Sequence, residues 1–194
     1  MDLGFQLARI RSVMTKSGLA SILLQKQVLR RDIAVIKAGL RSRDAVKRCD
    51  ALEVIEFFGL FEFSGEVRRL LDDKIPEVRV YALSALFRIR DDKFLQTLKH
   101  FKADPDDRVR ILSFLFAYIV TRDPQCLQRI QAVLDSIPGN YHAGYVLLHA
   151  ANQHGLLKSD QAIVRLLLSL CAKLDKDEGL YRDIRKSLEA QSVA

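Results

Sequence analysis

Histidine, cysteine and serine are the side chains of this sequence that could support metal-dependent or nucleophilic chemistry, and their spacing favours neither. His142, His149 and His154 are seven and five residues apart, so they lack the i, i+4 spacing of a helical zinc site. No C-x-x-C pair, no G-x-S-x-G elbow and no glycine-rich phosphate loop occurs. We therefore predict that the protein is not an enzyme, holds no metal or cofactor and acts on no small-molecule substrate.

Composition indicates a folded, soluble, cytoplasmic protein. The chain has 194 residues, of which 49% are hydrophobic, with only four prolines and nine glycines, too few for an all-β fold rich in turns. Cys49, Cys126 and Cys171 are odd in number and widely spaced, which is typical of a reducing compartment and of small buried apolar side chains. No apolar run approaches the roughly 18 residues of a membrane span.

The basic charge is concentrated at the N-terminus. Residues 1–50 contain 11 Lys or Arg against 4 Asp or Glu, whereas residues 51–194 contain 20 of each sign. Such a segment can contact an acidic partner, a phosphate backbone or an anionic membrane surface, or it can be a solvated helical face. The candidate residues of this basic segment are Arg9, Arg11, Lys16, Lys26, Arg30 and Arg31.

Two stretches of the chain repeat at an offset of 31 residues. Residues 73–89 read DKIPEVRVYALSALFRI and residues 104–119 read DPDDRVRILSFLFAYI, which aligns Asp73 with Asp104 and Arg79 with Arg110. Fixed-period self-similarity is the signature of a repeat architecture, and degraded copies are expected towards its ends.

Degraded copies flank this pair on both sides. One step back, Arg48 takes the arginine position and Ser42 the aspartate position. One step forward, Asp135 takes the aspartate position, but Tyr141 replaces the arginine.

Each repeat is predicted to be a helical hairpin. Apolar residues recur at helical spacing, and acidic, proline-containing turns separate the two helices. The predicted helices cover residues 65–71 and 77–89, 93–101 and 107–120, 124–134 and 140–151, and a last pair at 160–174 and 177–191. One or two further helices are expected in the first 40 residues, and the predicted fold class is all-α.

The pattern of Asp, Pro, an acid, Val-Arg and an Ala/Leu-rich helix resembles short bacterial HEAT-like repeats of the phycobilisome-lyase type over residues 42–152. This resemblance implies an α-solenoid of stacked antiparallel helix pairs, a HEAT/armadillo-like superhelix. We expect a basic helical cap over residues 1–41 and an array of about five hairpins over residues 42–194, together forming one domain.

The resemblance also implies a structural ladder of aspartate and arginine between adjacent repeats, formed by Asp73, Arg79, Asp104 and Arg110. An aspartate at a helix start can accept from free backbone N–H groups, and an arginine one turn further on can reach along the stack. The alternative is a surface row for anion capture, formed by Arg48, Arg79 and Arg110.

A partner-binding stripe is expected on the second helices of the hairpins, which line the concave side of such arrays. The predicted stripe contains Tyr81, Ser84, Arg88, Arg108, Leu112, Leu115 and Ile119. The alternative is that the phase is wrong by one residue and these leucines belong to the core.

The sequence thus favours a non-enzymatic scaffold that binds a protein on its concave face. One alternative is binding of nucleic acid or another anionic surface through the basic segment and the arginine row. Phe5 is the only aromatic residue before Phe57, so bases would lack stacking partners there, which favours a protein. A lyase-like accessory protein that handles a cofactor is a further alternative.

Overall fold

The computed structural model describes residues 30–136, 141–174 and 179–192, and all regular structure in these ranges is helical. This confirms the all-α prediction. The helices are α1 (Arg30–Leu40), α2 (Ala45–Phe58), α3 (Ser64–Leu70), α4 (Pro76–Arg88), α5 (Phe94–Phe101), α6 (Asp107–Thr121), α7 (Gln125–Ser136), α8 (Tyr141–Gln153), α9 (Leu156–Ser159), α10 (Gln161–Cys171) and α11 (Gly179–Ser192), with a 3₁₀ turn at Phe61–Phe63. None of the described helices has the length and apolar character needed to cross a bilayer.

The chain divides into two compact units, residues 1–94 and residues 95–194. In the first unit α2 packs on α1 and α4, and α3 packs on α4. In the second unit α6 packs on α7 and α8, and α10 packs on α7 and α11. The predicted division into a cap over residues 1–41 and an array over residues 42–194 stays a prediction.

Helix α6 lies inside the second unit. Its sequence is apolar on nearly all sides, and every residue from 111 to 118 is buried. A helix of this kind gains most by inserting between neighbours, because no face of it is better left in water.

This burial corrects the predicted partner-binding stripe. The side chains of Leu112 and Leu115 are 2% and 0% exposed, so they belong to the core and cannot line an open groove. Their phase could not be fixed from the sequence, because an all-apolar helix offers no polar face to orient it. At the ends of the same stripe, Arg108 and Ile119 are half-buried.

The part of the stripe that lies in the first unit stays at the surface. On α4, Tyr81 and Ser84 are half-buried and Arg88 is exposed.

Four residues with positive φ follow the second helices at a slowly lengthening interval. Gly59, Arg90, Arg122 and Gly155 have φ values of 64°, 56°, 58° and 69° and follow α2, α4, α6 and α8. A left-handed residue commonly ends a helix, because its backbone N–H can then bond a carbonyl of the last turn. These positions are 31, 32 and 33 residues apart.

The drift in spacing overturns one predicted register. A constant offset of 31 places Asp135 in the turn before α8, but α7 continues to Ser136 and Asp135 is part of that helix. There it is exposed and forms an ion pair with Lys173.

Arg90 and Arg122 form a matched pair for testing the left-handed positions. Arg90→Gly should leave the free energy of unfolding within about 0.5 kcal/mol, since relief of the unfavourable φ is offset by the flexibility of glycine in the unfolded chain. Arg122→Gly has the same backbone effect but removes a donor to buried Asp160, so we expect it to destabilise by about 1–2 kcal/mol. Chemical denaturation of both variants measures the difference, and equal effects would show that the Arg122 side chain contributes nothing.

Candidate functional site

The turns that precede α2, α4 and α6 share one hydrogen-bond pattern, and we call them the capping turns (residues 42–44, 73–75 and 104–106). Ser42 Oγ accepts from the backbone N–H of Asp44 at 3.1 Å. Asp73 Oδ1 accepts from Ile75 at 2.9 Å, and Asp104 Oδ1 accepts from Asp106 at 2.8 Å. The serine of the first copy therefore makes the same local bond as the two aspartates.

An arginine on each following helix binds the first carbonyl of its own capping turn. Arg48 Nη1 donates to the Ser42 carbonyl at 2.8 Å, and Arg79 Nη1 donates to the Asp73 carbonyl at 2.8 Å. In the third copy, Arg110 Nη1 donates to the carbonyl of Asp104 at 2.7 Å. The six-residue separation is the same in all three copies. Each arginine thus satisfies a turn carbonyl that no helix could serve.

One rung joins adjacent hairpins within the first unit. Arg48 Nη2 donates to Asp73 Oδ1 at 2.9 Å, and Arg48 Nε lies 2.8 Å from Asp73 Oδ2, although that N–H is not aligned for a hydrogen bond. Both side chains are more than nine-tenths buried. A paired, buried guanidinium of this kind is costly to break, because its partner would stay behind as an unpaired buried charge.

These contacts bear on the alternative of an anion-capturing arginine row. Arg48 and Arg79 are 7% and 8% exposed, and Arg110 is half-buried with its guanidinium on Asp107 and Asp104. All three guanidinium groups are thus already bound to protein oxygen atoms. The burial of Arg48 and Arg79 limits the access of an added anion to them.

The cysteine thiols lie in surroundings that keep them protonated. Burial, with the nearby carboxylates of Glu77 and Asp50, raises the pKa of Cys49 to about 12 against the opposing effect of Arg48. Burial also raises the pKa of Cys126 and that of Cys171. Because the thiolate is the reactive form, none of the three is poised as a nucleophile at neutral pH.

A buried cluster in the second unit connects the end of α6 to the start of α10. Asp160 is 8% exposed, and its Oδ1 caps α10 by accepting from the N–H groups of Ala162 and Ile163 at 3.1 and 3.3 Å. Its Oδ2 accepts from the Tyr118 hydroxyl at 2.9 Å and from Arg122 Nη1 at 2.8 Å. The carboxylate is fully engaged, so this cluster holds two helices together.

Sequence reasoning missed this cluster. An aspartate directly before an apolar helix signals a cap, and that signal is present at Asp160. Nothing local indicates that Tyr118, 42 residues earlier, donates to the same carboxylate.

An open groove of about 270 Å³ lies beside the C-terminal end of α10. Its lining is mostly apolar with one guanidinium at the edge, and consists of Leu168, Cys171, Ala172, Leu174, Tyr181 and Arg185. No group of three or more His, Cys, Asp or Glu side chains that could hold a metal ion occurs among residues 30–136, 141–174 and 179–192.

The structure describes the predicted basic segment only from residue 30 onward. Arg9, Arg11, Lys16 and Lys26 lie outside the described residues, as do the side chains of Arg30 and Arg31 at the start of α1. Further basic residues follow between positions 37 and 47, and all four of them are exposed: Lys37, Arg41, Arg43 and Lys47.

Comparisons of the chain with protein-family models, with curated proteins and with solved structures find no match.

The arginines of the capping turns should be important for stability. Arg48→Ala leaves Asp73 buried without its charged partner, so we expect a loss of about 3 kcal/mol in the free energy of unfolding. Arg79→Ala removes a charge-assisted bond to a turn carbonyl and should cost about 2 kcal/mol. Arg69→Ala, at an exposed position of the same unit, should change stability by less than about 0.5 kcal/mol. Denaturant titrations test this ranking, and an Arg48 variant as stable as the Arg69 control would contradict it.

Stability should fall at alkaline pH in a way that depends on Tyr118. Burial and the hydrogen bond to Asp160 raise the pKa of Tyr118, whereas in the unfolded chain it is near 10. The folded state thus holds the phenolic proton more tightly than the unfolded chain. The contribution of this proton to the free energy of unfolding is complete below pH 10 and is lost as the pH rises through the folded pKa. Above pH 10 the unfolding free energy of the parent should decrease more steeply than that of Tyr118→Phe, by up to about 1.4 kcal/mol per pH unit. Denaturant titrations across this pH range measure both slopes, and equal slopes would contradict the assignment.

Proposed function

We propose that this protein is a non-enzymatic, HEAT-like repeat scaffold of the cytoplasm that binds a protein partner, and that its hairpins stack as an α-solenoid. The observation that carries the proposal is the threefold recurrence of the capping turn with its arginine on a carbonyl six residues earlier. A polar contact that recurs at a fixed interval supports a stack of equivalent units.

The packing of the first unit supports the proposed stacking. Equivalent second helices, α2 and α4, contact each other directly, and Arg48 of one hairpin pairs with the capping turn of the next. Neighbour-to-neighbour contacts of this kind are the defining feature of solenoids.

The chemistry of the described side chains supports binding rather than catalysis. The conspicuous ionisable groups are committed to structural bonds: the arginines to turn carbonyls and Asp160 to a helix cap. The thiols have raised pKa values. A catalytic group needs access to a substrate and a pKa suited to its task.

The proposed partner surface is the exposed side of α2 and α4. Phe57 and Arg88 occupy equivalent positions, 31 residues apart, at the ends of these two packed helices. Phe57 is 47% exposed, and Arg88 is exposed. Tyr81, near the middle of α4, is half-buried. Aromatic and arginine side chains are the types that most often dominate the energy of protein interfaces.

A pull-down from nuclease-treated source-cell lysate tests this surface with the double variant Phe57→Ser, Arg88→Glu. The parent should retain a discrete protein, and the variant should retain at least about tenfold less, because two central contacts are removed. Both substituted positions are exposed, so the fold should persist, and circular dichroism with a thermal melt verifies it.

The matched control carries Val120→Ser and Lys99→Glu, which change one exposed apolar residue and one exposed cation in the second unit. It should retain the same protein as the parent. Equal retention by the parent and both variants would reject the α2 and α4 surface. Retention that disappears on nuclease treatment would reject a protein partner in favour of nucleic acid.

A further inference from the structure

The turn between α1 and α2, together with the adjoining ends of both helices, exposes four cations, and we call this span the basic turn: Lys37, Arg41, Arg43 and Lys47. Asp44 is the only acidic residue within this span, and its carboxylate caps α2 by accepting from the N–H of Val46. The span from 37 to 47 thus presents four positive charges against one negative charge.

Within the part of the chain that the structure describes, the cations of the basic turn are not used by the fold in ion pairs. Those from Arg48 onward include seven that form ion pairs with carboxylates: Arg48, Arg68, Arg108, Arg110, Arg122, Lys173 and Arg185. Among the residues that the structure describes, none forms an ion pair with any of the four cations of the basic turn.

The position of Lys47 is unfavourable for the fold itself. It lies in the first turn of α2, where the helix dipole favours negative charge, and the acidic group at that end of the helix is the carboxylate of the capping residue Asp44. Neighbouring like charges with no internal partner reduce stability slightly. A surface that costs stability in this way is more readily explained by an external anion than by folding.

Exposed apolar side chains flank these cations in the sequence and indicate what kind of anionic partner the cations bind. Val35 and Val46 are 38% and 52% exposed. Aliphatic side chains gain free energy by leaving water for lipid, whereas a phosphate backbone in solution offers them no such gain. Described residues 30–56 contain no aromatic side chain on which bases could stack.

We propose that the basic turn binds the surface of a bilayer that contains anionic lipids. The amino-acid sequence before the turn has the same sign of charge, with six Lys or Arg and one Asp in residues 1–31. Stable attachment without a lipid anchor needs several basic residues acting together with apolar contacts, and this part of the chain supplies both. The residues of the basic turn are different from Phe57, Tyr81 and Arg88 of the proposed partner surface.

Vesicle co-sedimentation of the full chain tests this surface. The parent should bind phosphatidylcholine vesicles that contain about one third phosphatidylserine, should not bind pure phosphatidylcholine, and should be released as salt shortens the Debye length below about 10 Å. Each cation near the surface contributes about fivefold in partitioning, so replacing all four by Gln should lower the partition coefficient at least about a hundredfold.

Two further variants separate position and lipid contact from total charge. Replacing exposed Lys74, Lys93, Lys99 and Lys158 by Gln gives the same net charge and should leave binding close to that of the parent. Val46→Ser should weaken vesicle binding severalfold while leaving any binding to a DNA duplex unchanged. A thermal melt of each variant confirms folding.

Three outcomes would overturn the proposal. The first is a parent that does not bind the anionic vesicles. The second is an equal loss in the two fourfold variants, which would assign binding to net charge alone. The third is preference for a DNA duplex or for polyglutamate over vesicles, lost only in the basic-turn variant, which would make the turn a nucleic-acid or acidic-protein site instead.

Discussion

A buried arginine that serves the carbonyl of its own capping turn is the contact on which the repeated hairpin depends. The turn reverses the chain between two helices, so its first carbonyl has no helical partner, and a buried carbonyl without a donor costs about 1–3 kcal/mol. Arg48, Arg79 and Arg110 supply that donor from one helical turn inside the following helix. The guanidinium has donors to spare, and in Arg48 these reach Asp73 of the next hairpin. One side chain therefore closes its own turn and fixes the spacing to its neighbour.

The capping turns that carry this contact are evenly spaced, whereas the left-handed residues after the second helices are not. The three capping turns are 31 residues apart, and all carry the arginine. Before α8 the arginine position falls on Tyr141, α7 extends through Asp135, and the interval between left-handed residues grows to 33. The second unit contains the third capping turn and also a long-range polar cluster, in which Asp160 accepts from Tyr118 and Arg122 at the end of α6. This cluster joins two helices that are far apart in the sequence.

The sequence predicts most of the helices but does not predict which of their faces are buried. Acidic, proline-containing turns and apolar spacing placed α3 to α8 to within a few residues, because these signals are local. Leu112 and Leu115 were assigned to a surface because α6 is apolar all round, and only its neighbours in space decide which side meets solvent. Asp135 was misplaced because a constant period was extended past the last arginine. Tyr118 and Asp160 were missed since their contact spans 42 residues.

The same distinction between local pattern and spatial partner decides how the basic charge is interpreted. The first 50 residues have a net charge of +7, but one of these cations, Arg48, is buried in an ion pair with Asp73. What separates a structural arginine from a surface available to a ligand is whether a carboxylate or carbonyl already faces it. By that criterion Arg48 and Arg79 are committed to the capping turns, and the exposed cations from Lys37 to Lys47 remain for an external anion. Stability and the proposed binding are thus assigned to different cations, and in α2 these are neighbours in the sequence, exposed Lys47 and buried Arg48.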